Sequence, residues 1–350
     1  MAGFSDLAFQ AAMAGYLIAL ICYGIEVASR RGLVPTAMEA ASAQRVHLAK
    51  VGAAGSRATG STVTGYTDAD VDDELDDDDD DDDDRAALAP WGVRFGRAAV
   101  VVTVIGVLAN LLSVVTRGIA AGRLPLGNMY EFVSMICLAS VTCWLVVLAK
   151  NRAPGLRQLG LFVLIPVVIL AFVAGTKLWI PAGPVPPSLN SYWKWIHVTT
   201  VSLSGSVLLV SGAASVLYVL RHRFDRKLSE MPDDEALATS VWSRMPSLPT
   251  LDKIAYRTAI VAFPVYTFAI IAGALWAEVA WGRYWGWDPK ETVAFVSWVF
   301  YAGYLHARAT SGWRGLRSAW INIIGFAAIV FNLFFVNMVV SGLHSYAGVG

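Results

Sequence analysis

Apolar positions in this 350-residue chain come in long unbroken runs, not in the alternation of half-buried strands or surface helices. Eight runs reach roughly 18–25 residues, enough to cross a hydrocarbon core ~30 Å thick. They cover residues 7–28, 98–118, 128–149, 158–178, 196–220, 256–279, 290–307 and 318–341. The pattern predicts an all-α, polytopic integral membrane protein of about eight transmembrane helices. It divides the chain into a first helix (1–28), a polar linker (29–97) and a seven-helix membrane domain (98–350).

The polar positions between the runs set an orientation, because Lys and Arg favour the inner side of a membrane. With the N-terminus outside, 21 of the 27 basic residues fall in the inner segments 29–97, 150–157, 221–257 and 308–317. Six remain outside: Arg117, Arg123, Lys177, Lys194, Arg283 and Lys290. The prediction is therefore N-out and C-out, with the segment WGRYWGWDPKE (281–291) on the outer face.

Composition agrees with a membrane protein: 56% hydrophobic residues, 15% charged, and a mean hydropathy of +0.54. The net charge of zero conceals fourteen acids packed into residues 68–84. That stretch lies in the Ala-, Gly-, Ser- and Asp-rich linker, which has too little apolar surface to fold alone and reads as a cytoplasmic disordered segment. The first run lacks a basic n-region, so it reads as a retained anchor. Cys22, Cys137 and Cys143 lie in apolar runs with no CxxC pair, which argues against thiol–disulfide chemistry. Nothing in the chain suggests nucleic-acid binding.

Candidate chemistry gathers on the outer face. The loop 281–291 holds Trp281, Arg283, Tyr284, Trp285, Trp287, Asp288, Lys290 and Glu291, with Trp276 just before it. Aromatic belts are common at interfaces, but this density exceeds a belt. In DPKE, Asp288 suits a helix N-cap, with Pro289 at the first helical position and Glu291 three residues on. Two histidines, His197 and His344, fall on the same outer face on different helices. Neutral imidazoles on either side of an iron, beside aromatic faces, are what a six-coordinate haem requires. Arg283 and Lys290 suit the carboxylates of such a ligand. His306 lies about 22 Å deeper than Glu291 at 1.5 Å per residue, in the inner half of the membrane. An ionisable group there usually has a partner or a function. The chain offers no second intramembrane histidine to pair with it, so another ligand would come from a different subunit or from solvent. In GRLPLGNMYEF (122–132), Glu131 sits in the first turn of a helix and reads as a cap. Pro181, Pro184, Pro186 and Pro187 stiffen the loop before His197.

These residues resemble the WWD-motif haem-handling proteins of cytochrome c biogenesis, of the CcsA/ResC type in the system II pathway. The likeness extends from WGRYWGWDPKE to LPLGNMYE, the IHV histidine His197, the YLHAR histidine His306 and the GLHSY histidine His344, over roughly residues 98–350. The resemblance implies that Trp281, Trp285, Trp287 and Asp288 belong to a haem platform. It implies axial ligation of haem b by His197 and His344, and a second, inner haem site at His306 completed by a ResB-type partner. The implied activity is presentation of haem to apocytochrome c as one half of a haem lyase in the bacterial cytoplasmic membrane. The rival expectation is a respiratory subunit that keeps a b-type haem and reacts with quinone. That role would normally place paired histidines within the bilayer.

Overall fold

The computed structural model describes residues 2–29, 90–151, 153, 155–185, 190–231, 240, 242, 245–310, 312–338 and 340. Eight α-helices make up the described chain: α1 (Ala2–Ser29), α2 (Pro90–Ala121), α3 (Met129–Lys150), α4 (Leu159–Lys177), α5 (Tyr192–Glu230), α6 (Leu248–Trp281), α7 (Pro289–Ala309) and α8 (Leu316–Met338). No strand occurs among the described residues. The chain is an all-helical polytopic membrane protein. The Asp-rich stretch and His344 lie outside the described residues.

Two differences from the sequence pattern have physical reasons. First, α2 begins at Pro90, inside the stretch read as linker. Proline is favoured at the first helical position, where its missing N–H is not needed. Gly96 then lets α2 lie against α1, because a Cβ there would sit 2.3 Å from the Glu26 carboxyl. Second, seven of the eight helices are long and apolar enough to cross a membrane, and α7 is not among them. Its 21 residues suffice for length. It carries Lys290 and Glu291 at one end and His306 and Arg308 at the other, and it packs against α8 and α6.

Successive helices run in opposite directions, so connections gather at two ends. At one end, Arg117 of α2 donates to Ile180 O, Arg123 donates to Gly183 O, and Trp179 Nε1 donates to Asp6 Oδ1 at 3.1 Å. The Trp281–Lys290 connection lies at this same end. At the opposite end, Arg157 pairs with the buried Glu26 at 2.7 Å. There Arg308 grips both oxygens of Asp252 at 2.8 and 2.6 Å, tying α7 to α6. The 39-residue α5 is longer than a ~30 Å core needs at 1.5 Å per residue. Its surplus is the charged segment Arg221–Glu230.

Small and hydroxyl residues hold the interior together. Asn322 of α8 donates to Ser211 Oγ at 2.9 Å and Ser215 Oγ at 2.7 Å on α5, and Ser211 Oγ donates to Ala255 O of α6 at 2.7 Å. Such interhelical hydrogen bonds suit a medium where the hydrophobic effect gives no drive between helices. A larger core of α1–α6 and a smaller one of α5–α8 leave space between them at the end carrying the tryptophan loop.

Candidate functional site

That space is an apolar cleft with about 940 Å³ between its walls, open mouth included. Helical spacing builds it. On α5, His197, Val201 and Gly205 follow one another at intervals of four. On α6, Tyr266, Ile270, Gly273 and Ala277 line one face. Phe132 and Ile136 of α3 close one side, and Ile329, Asn332 and Leu333 of α8 close another. The Tyr266 hydroxyl donates to Ala294 O of α7 at 3.2 Å, joining two walls.

His197 is the chemical feature of the cleft. Its Nδ1 lies 2.8 Å from Ala269 O on α6. A carbonyl oxygen can only accept, so Nδ1 carries a proton; in a neutral ring this leaves the lone pair on Nε2. This bond fixes the tautomer that metal-ligating histidines use. The imidazole stacks on Trp276 at 6.1 Å and 23°. Room for it comes from Gly273, where an added Cβ would meet Nδ1 at 2.7 Å and Cε1 at 2.8 Å.

The tryptophan loop roofs the cleft. Gly282, with φ +70, ends α6 in the left-handed region, and its N–H reaches Glu278 O at 2.8 Å. Asp288 then caps α7 in a full capping box, with Pro289 at the first position. Glu291 Oε2 accepts from Gly286 N at 2.9 Å and Asp288 N at 3.2 Å, so one carboxylate ties the loop to the helix. We expect Asp288→Ala to cost about 0.5–2 kcal/mol, read as a lower thermal midpoint in detergent. An unchanged midpoint would contradict the capping role.

Of the residues singled out from sequence, His197, Trp281, Trp285 and Lys290 line the cleft together. Trp287 does not line it: it is 67% exposed, holds a φ of 57, and packs edge-on to Trp285 at 5.7 Å. A tryptophan with positive φ is uncommon, and such strain persists only where its surroundings over-determine it. Arg283 folds back over Gly286, where a Cβ would overlap its guanidinium. His306 is far from the cleft, exposed on α7 on the side opposite the buried Tyr301 and Tyr304. His344 lies outside the described residues.

Glu131 does more than cap. Asn128 is the N-cap of α3, its side chain accepting from Glu131 N at 2.9 Å. The Glu131 carboxylate instead gathers Arg117 Nε at 3.0 Å, Arg123 Nη1 at 2.7 Å and Gly127 N at 2.7 Å. Gly127 makes this possible, since a Cβ there would strike the Arg123 guanidinium. The GRLPLGNMYE segment is therefore a buried clasp beside the α3 wall of the cleft.

Residues 126–344 match the family described as cytochrome C assembly protein. The chain belongs to that family. Every residue lining the cleft falls within the match, whereas α1 and α2 precede it. The cytochrome c biogenesis protein CcsA of Guillardia theta is 34% identical over 257 residues, covering 70% of this chain and 83% of that protein. The CcsA of Parasynechococcus marenigrum (strain WH8102) is 32% identical over 284 residues, covering 74% and 90%. The cytochrome c haem lyase CcmF shares the fold, with a TM-score of 0.57 at 16% identity over 95% of this chain and 46% of that one. The resemblance drawn from the WWD loop and its histidines therefore holds at the level of the family. The quinone-reactive alternative finds no support among these relatives.

Gly273, Tyr266 and Asn332 are part of the cleft although the sequence reading did not name them, and so is Trp276, which it named only for its place beside the loop. The crowding of aromatics around 276–287 was a signal for Trp276. Gly273 gave none, because one glycine in an apolar helix looks like any packing position.

Proposed function

We propose that this chain is the haem-handling subunit of a cytochrome c haem lyase, taking haem b as its substrate and presenting it to the CxxCH cysteines of apocytochrome c. The observation that carries this reading is a histidine, its Nδ1 committed to a carbonyl, set in the wall of an aromatic cleft. The residues present fit a porphyrin: apolar walls and the indoles of Trp276, Trp281 and Trp285 match a flat apolar ring, and His197 Nε2 is the ligating type of nitrogen. His344 is the second axial ligand in this reading.

Thioether attachment adds each cysteine thiol across a vinyl double bond of the substrate, sulfur to one carbon and hydrogen to the other, with no net oxidation. The chain's contribution is positioning. His197 and the tryptophans hold the ring at a fixed height, and the loop anchored by Asp288 and Glu291 excludes water from one side. Trp287, turned away from the cleft, offers an aromatic surface to whatever docks at the mouth. Lys290 lines the cleft, and Arg283 folds over Gly286 in the loop above it. The same reading places the loop and both termini on the outer face of a bacterial cytoplasmic membrane, in keeping with the Lys and Arg distribution.

Exposed on α7 away from the bundle, His306 suits a second haem site whose other ligand is supplied by a ResB-type partner subunit. The test is haem-stained cytochrome c in a strain that depends on this protein. With each variant present at wild-type level, His197→Ala and Trp285→Ala are expected to lower holocytochrome about tenfold or more. Normal holocytochrome in both variants would reject the reading.

A further inference from the structure

Lys194 is buried at 3% exposure, yet among the described residues its Nζ has no hydrogen-bond partner. It sits 3.7 Å from the ring centroid of Trp195, and Arg123 and Glu131 lie within electrostatic reach. Burying an ammonium with three unused donors is costly unless an anion compensates it. The nearby clasp does not supply one. Glu131 is already engaged by Arg117 and Arg123, and Asp6 lies 3.6 Å from Arg117. Three cations thus face two carboxylates. Arg123 is committed as well, donating to Glu131, Gly183 O and Leu124 O. Lys194 is the cation of this cluster with donors to spare.

Its position on α5 points to the ligand. Lys194 precedes His197 by one turn and Val201 by two, on the face that continues through Gly205 along the wall of the cleft. On α3, Glu131 adjoins Phe132, which lines the same cleft. An anion reaching Lys194 would thus belong to a molecule whose apolar body lies beside His197.

We infer that Lys194 is the carboxylate subsite of the cleft, its ammonium binding one propionate of the haem held at His197. The inference rests on the haem reading above and adds to it a specificity-determining residue that the aromatic loop does not contain. A carboxylate so bound would fix the rotation of the ring about its axis, and with it the vinyl edge offered to the incoming thiols. The surrounding charge would be balanced by the ligand itself.

The experiment compares haem with its neutral dimethyl ester, titrated into the detergent-purified full chain and followed by the Soret band. Wild type is expected to bind the diacid about tenfold or more tightly than the diester, as a charge-assisted hydrogen bond requires. Lys194→Met keeps the apolar stem and removes the charge, so the variant should fold and lose most of the preference for the diacid. Lys194→Arg should restore part of the preference. A Lys194→Met variant that retains the wild-type preference overturns the inference while leaving the haem reading intact. Should neither porphyrin bind the wild-type chain, both fail together.

Discussion

Glu131→Ala is expected to lower the stability of the folded chain by about 3–5 kcal/mol, the range for breaking a buried ion pair from one side. The carboxylate has no exposed side-chain surface, and it holds two guanidiniums and one backbone N–H. Without it, Arg117 and Arg123 stay buried as uncompensated cations. Their other bonds, to Ile180 O and Gly183 O, tether the connection before α5, so the loss should spread to the helix carrying His197. Thermal unfolding in detergent, followed by helical circular dichroism, should show a midpoint lower by roughly 4–7 °C for a chain of this length. Glu131→Gln keeps the shape and one acceptor and should fall between. A midpoint within a degree or two of wild type for Glu131→Ala would mean that the clasp contributes little.

Gly273→Ala should separate folding from ligand binding. In a helix, Ala is favoured over Gly by about 1 kcal/mol, which offsets the loss of one hydrogen bond of about 0.5–1.5 kcal/mol, so the thermal midpoint should stay near that of wild type. The new Cβ would nevertheless stand 2.7 Å from His197 Nδ1 and displace the ring. That breaks the bond to Ala269 O which fixes the tautomer. Loss of such a supporting bond typically lowers metal affinity 10–100-fold, and haem titration should show a fall of that size. Gly303→Ala on α7 is the control, since a Cβ there meets nothing within 4 Å. Undiminished haem affinity in Gly273→Ala would separate the cleft from the iron.

Much of this architecture could be read from the chain because the strongest constraint on it is elementary. A segment crossing lipid must satisfy its own backbone, so helix length and apolarity are written directly into the runs. The capping box at Asp288 was readable for a similar reason: DPKE carries its own geometry. The cleft was not readable. It arises where helices distant in sequence fail to fill the space between them, and His197 is poised by a glycine and a carbonyl 76 and 72 positions away. Trp287 illustrates the limit most plainly. Its neighbours Trp285 and Trp281 turn into the cleft while it turns out, a choice set by its left-handed backbone and not by its residue type. Likewise Glu131 has the sequence position of a cap, but its partner Arg123 folds back over Gly127, a contact that only the turn between them reveals.

The most direct test of the central claim is the visible spectrum of the membrane-extracted chain in wild type and in His197→Ala. The account predicts the sharp bands of a six-coordinate, low-spin haem in the wild type, weakened or replaced by a five-coordinate spectrum in the variant. Haem bound with an identical spectrum in both would contradict it, because the iron would then be held somewhere other than the cleft.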